Sequence, residues 1–137
     1  MYLPRVVQHR QGRDMDVIKQ MIAVETERTR AIQSSEALQA FASTPTYWEL
    51  LLTIYKLDGD PNFGVNDYVD LLTVQEVTRL TVLNFMKAQL KAGHLQLAPS
   101  LKRSRKTLIL SDELKVELLT FCEKYWRAWM QHGATRH

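Results

Sequence analysis

Between Glu76 and Asp112 the chain carries no Asp or Glu, yet it holds seven Lys and Arg: Arg79, Lys87, Lys91, Lys102, Arg103, Arg105 and Lys106. Across that window apolar residues recur first at three- and four-residue steps, then pass Gly93 and begin to alternate. The stretch therefore reads helix, glycine turn, strand, basic loop, strand. A helix joined to a hairpin by so short a turn must lie beside it, which brings the cations of both to a common surface suited to a polyanion.

Composition sets the frame for that surface. With 137 residues, 45% of them hydrophobic, the chain fits one compact domain with a single core. The net charge is only +3, so the information lies in how charge is segregated and not in its total. The single cysteine, Cys122, excludes an intramolecular disulfide framework and suits a reducing compartment, so a cytoplasmic protein is expected. From Met1 to Arg13 there is no unbroken apolar segment of the kind a secretory signal needs. Elsewhere no run approaches a membrane span, and no membrane partner is expected.

Residues 1–13, with Arg5, Arg10, Arg13, Pro4 and Gly12, read as a flexible basic arm. A helix follows from about Asp14, carrying a broken apolar stripe of Ile18, Met21, Ile22 and Ile32. Ser34 and Ser35 are placed to cap a short segment, Glu36 to Ala42. Thr44 followed by Pro45 starts the next helix, which runs to Leu57 with Trp48, Leu51, Leu52 and Tyr55 as its expected buried face. Asp58-Gly59-Asp60-Pro61 ends it, and Phe63 to Val65 suggests one short strand. Asn66 or Asp67 caps a helix expected to reach about Val74, with Gln75 to Val77 as a turn. Thr78 then caps a helix from Arg79 to Ala92 whose apolar face is Val82, Phe85, Met86 and Leu90, and Gly93 occupies the left-handed cap. His94 to Leu97 and Thr107 to Leu110 form the hairpin around a polar loop, Pro99 to Arg105. Ser111, Asp112 and Glu113 open a last long helix through Leu114, Leu118, Phe121, Cys122, Tyr125 and Trp129 to about Gln131.

The fold class expected from this order is mainly α with a small β-hairpin: a winged helix-turn-helix with long N- and C-terminal dimerisation helices. Residues 14–137 form the domain, with 14–43 and 112–132 as dimerisation helices and 44–110 as the DNA-binding core. The chain resembles the MarR family of bacterial winged-helix transcription regulators from about Thr44 to Trp129. Thr78-Arg79-Leu80-Thr81-Val82 is similar to that family's Ser/Thr-x-x-Thr-Val start of the recognition helix. Lys91-Ala92-Gly93-His94-Leu95 is similar to its Lys-x-Gly turn into the wing, and Leu110-Ser111 to the Leu-Thr that opens the following helix. Two departures stand out. Lys102-Arg103-Ser104 occupies the place of the wing's Asp-x-Arg. Gln89 stands where the family prefers leucine, with Leu90 beside it expected to take the core position. The resemblance implies a homodimer joined by its terminal helices, a roughly palindromic operator, and release by a small-molecule effector whose identity the residues do not name.

The candidate DNA contacts are Thr78, Arg79, Thr81, Asn84 and Lys87 on the recognition helix, and Lys102, Arg103, Arg105 and Lys106 on the wing. Arg and Asn can make bidentate contacts to guanine and adenine, while wing cations suit phosphates or the minor groove. The bland alternative is a solvated helix face and a soluble loop; the absence of any carboxylate in the window favours binding. Tyr125, Trp126, Trp129 and Met130 crowd the end of the last helix, and with Ile18, Met21 and Ile22 they form the expected dimer interface. Packing of these aromatics inside their own monomer is the alternative.

Cys122 is expected to be a buried, inert thiol, and His94 to be structural. His9, His94, His132 and His137 lack ligand spacing, so neither a metal nor a cofactor is expected. No glycine-rich phosphate loop, nucleophile elbow or metalloprotease motif is present, and Glu49, Asp67 and Asp70 read as isolated carboxylates favouring helix starts. Catalysis is therefore not expected. A regulator of transcription that binds double-stranded DNA is the leading reading. A winged-helix protein-interaction module, or a plasmid or phage replication or partition factor, is the alternative.

Overall fold

The computed structural model describes residues 11–101 and 106–133. Arg5, Arg10, Lys102, Arg103 and Arg105 lie outside the described residues, as do His9 and His137. Among the described residues six helices and one hairpin follow in order: α1 Gln11–Gln33, α2 Glu36–Phe41, α3 Pro45–Leu57, α4 Val65–Asp70, α5 Arg79–Ala92, β1 Leu95–Pro99, β2 Lys106–Leu110 and α6 Asp112–Gly133. The fold is mainly α with one antiparallel hairpin, a winged helix-turn-helix in which α4 and α5 flank the turn and β1–β2 forms the wing.

By backbone contacts the chain divides into two compact units, one of residues 35–118 and the other of residues 1–34 with 119–137. The first holds α2 to β2 and the first turns of α6. Its core is built from Leu38, Phe41, Leu50, Leu51, Ile54, Tyr68, Val82, Met86, Leu95, Leu108, Leu114 and Leu118, all nearly inaccessible to solvent. Burying such side chains is the main favourable term, about 1.5–3 kcal/mol for each large one. Phe85 stacks on Tyr47 with ring centroids 3.8 Å apart and meets the edge of Phe41 at 5.0 Å. These rings pack α5 against α2 and α3.

Hydroxyl caps set the helix starts, as the sequence leads one to expect. Ser35, Thr44, Thr78 and Ser111 accept from the N–H of Leu38, Tyr47, Thr81 and Leu114 at 3.1, 3.1, 3.2 and 3.1 Å. Gly93 closes α5 at φ 83°, and Asp58 and Gly59 leave α3 in the left-handed region at φ 44° and 76°.

Three expectations are corrected. The buried face of α3 is Thr46, Leu50, Leu51 and Ile54, while Leu52 is exposed and Trp48 and Tyr55 are half-buried. The expected stripe was thus turned by one residue, roughly 100° around the helix. No strand forms at Phe63 to Val65: the Phe63 N–H donates to Asp60 O at 3.1 Å and the Gly64 N–H to the Asp67 carboxylate at 2.7 Å, local turn bonds that leave no ladder. Finally, α4 ends at Asp70 and not near Val74. The Thr73 and Val74 N–H groups donate instead to Glu49 on α3, at 2.6 and 2.9 Å, so they cannot continue the helix.

In the second unit α1 starts at Gln11, before the expected Asp14. Val24, Ala31, Ile32, Phe121 and Ala128 are buried there, and Phe121 and Tyr125 stack with centroids 6.2 Å apart. No helix among the described residues is long and apolar enough to cross a membrane.

Candidate nucleic-acid interface

The turn from Leu71 to Thr78 aims α5, and α3 holds it. The Glu49 carboxylate accepts from the Thr73 N–H, the Thr73 hydroxyl and the Val74 N–H. One turn earlier the buried Thr46 hydroxyl donates to Val74 O at 2.9 Å and accepts from the Glu76 N–H at 3.2 Å. Partial burial by itself raises the pKa of Glu49, but the hydrogen bonds from Thr73 and Val74 outweigh it and hold the carboxyl below its ordinary value. The dipole at a helix start explains Asp67, near the start of α4, but Glu49 acts through these three bonds and Asp70 stands at a helix end.

Along α5, Leu80, Thr81, Asn84, Lys87, Ala88 and Lys91 form one exposed arc, opposite the buried Val82, Met86 and Gln89. Thr81, Asn84 and Lys87 are thus brought to a common face. Thr78 is committed to capping, and its hydroxyl also lies 2.8 Å from that of Thr81. Arg79 departs from the group. It lies roughly 140° around the helix from Asn84, and its guanidinium is paired with the carboxylate of Asp70, the last residue of α4. The expectation of cations with no carboxylate nearby is therefore corrected at this position. The window itself contains no acid, but the fold supplies one from seven residues before its first position, Val77. A hollow of about 300 Å³ opens beneath the turn, lined by Val69, Leu72, Val77 and Val82 with Asp70 and Arg79.

The wing is fixed to the same scaffold. Helix α5 packs on β1, and β1 pairs with β2 in a register from Leu95↔Leu110 to Pro99↔Lys106. The buried Tyr68 hydroxyl on α4 lies 2.8 Å from the Thr107 hydroxyl and donates to Leu108 O at 3.1 Å, joining the helix-turn-helix to β2. The Leu101 N–H donates to Pro61 O at 3.1 Å, holding the start of the loop on the turn after α3. Lys106, at the loop end of β2, is exposed. The other three wing cations, Lys102, Arg103 and Arg105, lie outside the described residues.

Gln89 does not yield its place to Leu90. It is 8% exposed, and its side-chain oxygen lies 2.6 Å from His94 Nδ1, which donates in the tautomer carrying a proton there. His94 is structural, as its sequence position suggests, and its backbone N–H donates to Gln89 O at 3.0 Å. Cys122 is exposed and not buried. Even so, desolvation by its surroundings raises the thiol pKa, so it stays protonated and weakly nucleophilic at neutral pH. Sequence reasoning missed Glu49, Thr46 and Asp70 as organisers of the site, since their partners lie nine to thirty residues away.

Of the seven residues named for the dimer interface, six are exposed on the second unit, including Ile22 at 59% and Trp126 at 62%; Tyr125 is half-buried. Ile18, Met21 and Ile22 line an open hollow of about 380 Å³ on α1 with Glu25, Thr26 and Thr29. Among the described residues no group of three or more His, Cys, Asp or Glu is placed to hold a metal ion.

No protein-family model matches the sequence, and no curated protein matches it. The chain is similar in fold to a solved structure described as that of a MarR-like transcription regulator from Bacillus cereus. The TM-score is 0.49 and the identity 9%, over 98% of this chain and 86% of that one.

Proposed function

We propose that the protein is a sequence-specific DNA-binding regulator of transcription, acting as a homodimer. Helix α5 enters the major groove, and the wing lies on phosphates or in the minor groove. The observation that carries this reading is the exposed arc of α5. Thr81, Asn84 and Lys87 share it in the three turns that follow a side-chain-capped helix start, on a scaffold that also fixes the hairpin. Asn84 supplies the bidentate donor–acceptor pair that adenine requires. Lys87, Lys91 and Lys106 supply charge for phosphates. Lys102, Arg103 and Arg105 complete the wing contribution in this reading. The six exposed apolar residues of α1 and the end of α6 supply the dimer surface.

The test is retention of genomic duplex fragments across a salt series. Binding is expected at low salt, with log K falling linearly in log salt; replacing Lys102, Arg103 and Arg105 together is expected to flatten that slope by about 3 units. No retention at low salt, or affinity indifferent to those replacements, ends the proposal.

A second reading has one observation in its favour. Leu80 is 66% exposed on the same arc of α5, an apolar group suited to a protein partner as well as to a thymine methyl. Co-purification of a stable heteromeric partner covering α5, without nucleic-acid affinity, selects the interaction module instead.

A further inference from the structure

The Asp70–Arg79 pair has no evident task in holding the turn together. Glu49 and Thr46 already anchor it with five hydrogen bonds, four to backbone groups of Thr73, Val74 and Glu76 and one to the Thr73 hydroxyl. Both members of the pair remain in contact with solvent, the side chains of Asp70 and Arg79 being 61% and 50% exposed, and so exposed a pair adds little to stability. Asp70 also stands where a carboxylate is disfavoured. It is the last residue of α4, at the negative end of the helix. A residue that breaks a local rule while adding little to stability points to function at the surface.

That surface is the one proposed to meet a polyanion. Arg79 lies outside the arc, roughly 140° from Asn84 but only about 80° from Lys87, at the helix end nearest the incoming backbone in a helix-turn-helix docking. A carboxylate and a phosphate compete for the same guanidinium edge. While Asp70 occupies it, Arg79 adds no net charge to the surface, and Asp70 repels any phosphate that approaches. From this we propose that Asp70 is a specificity determinant: an intramolecular stand-in for phosphate that cancels Arg79 and suppresses binding to arbitrary DNA. Discrimination then rests on the base-reading arc of Thr81, Asn84 and Lys87. The proposal rests on the DNA-binding reading above. It assigns Arg79 a different part from the base contact expected of its sequence position.

Four proteins test it: the full-length wild type, Asp70→Asn, Arg79→Gln and the double variant. Each is titrated with a random-sequence duplex and with a duplex selected by the wild type from a random pool, across a salt series. Asp70→Asn is expected to bind the random duplex about fivefold to tenfold more tightly near 0.1 M salt, with a slope steeper by about 0.9 unit, as one more phosphate contact is made. Its affinity for the selected duplex, where Thr81, Asn84 and Lys87 already fix the seat of α5, should rise by less, so the preference for that duplex falls. Arg79→Gln alone strands the Asp70 carboxylate and takes the pair from zero net charge to −1, so random-duplex affinity should fall while the slope stays within about 0.3 unit of wild type, since no phosphate contact is lost. Adding Arg79→Gln to Asp70→Asn should abolish the gain. A merely structural pair would lower the melting temperature of Asp70→Asn without changing the slope or the preference.

Unchanged random-duplex affinity in Asp70→Asn overturns the inference while leaving DNA binding intact. So does a salt slope that Arg79→Gln by itself flattens by about 0.9 unit, the mark of a phosphate contact already made in the wild type. A wild type that binds neither duplex at low salt overturns the DNA-binding reading itself.

Discussion

At the scale of single residues, Glu49 and Gln89 matter through groups that lie far from them or unexpectedly deep. The carboxyl of Glu49 has a lower pKa in the folded protein than in the unfolded chain, so its charge stabilises the fold above the ordinary glutamate range. That contribution fades as pH falls through the lowered native value. Glu49→Gln should therefore cost about 1 kcal/mol at neutral pH, discounted for solvent access, and the gap should close in acid. Urea denaturation at both pH values measures it, and a gap undiminished in acid contradicts the account. Gln89 poses a different problem, because its partner His94 Nδ1 would lose this contact if leucine stood there. Gln89→Leu should cost about 1–2 kcal/mol, and adding His94→Leu should recover part of it, since losing both partners leaves no stranded donor. Additive costs in a double-mutant cycle refute the coupling.

At the scale of elements, the glycine-containing turns and the Tyr68 hydroxyl decide how the hairpin sits on the helix-turn-helix. Gly93 has open space where a Cβ would project, so Gly93→Ala meets only the left-handed backbone and should cost about 1–2 kcal/mol. Gly59 carries the same backbone penalty, and its Cβ would come within 2.8 Å of Ile109 Cγ2 on β2. Gly59→Ala should therefore cost more than Gly93→Ala, by about 1 kcal/mol or more. Denaturant midpoints at unchanged m-value give the comparison, and the reverse order would contradict it. Tyr68→Phe removes the hydroxyl shared by Thr107 and Leu108 from a fully buried position and should cost about 1–2 kcal/mol. Its melting temperature measures that effect, and an unchanged value would show the bond to be dispensable.

At the scale of the whole molecule, the division into two units separates the proposed reading head from the proposed dimer surface. Unit 35–118 carries α5 and the hairpin, while the exposed Ile18, Met21, Ile22, Trp126, Trp129 and Met130 all lie on the other unit. A charged residue at Ile22 or Trp126 should weaken self-association more than tenfold without unfolding unit 35–118. Sedimentation equilibrium measures it, and wild-type protein that is monomeric at all practical concentrations excludes the dimer. Affinity for a two-half-site duplex should fall when dimerisation is lost, because each half-site is then bound without the advantage of linkage.

Local signals were legible in the sequence because their physics is local. Thr44, Thr78 and Ser111 cap the helices they precede, Gly93 supplies a backbone conformation that Cβ-bearing residues resist, and the alternation around the basic loop makes a hairpin. With them came the winged-helix order of elements and the grouping of Thr81, Asn84 and Lys87. Only the tertiary structure decided which arc of α3 is buried, that Glu49 halts α4 by taking two of its next amides, and that Asp70 meets Arg79. These depend on hydrogen bonds and charges between segments distant in sequence, and periodicity within one segment carries no record of which neighbour will face it.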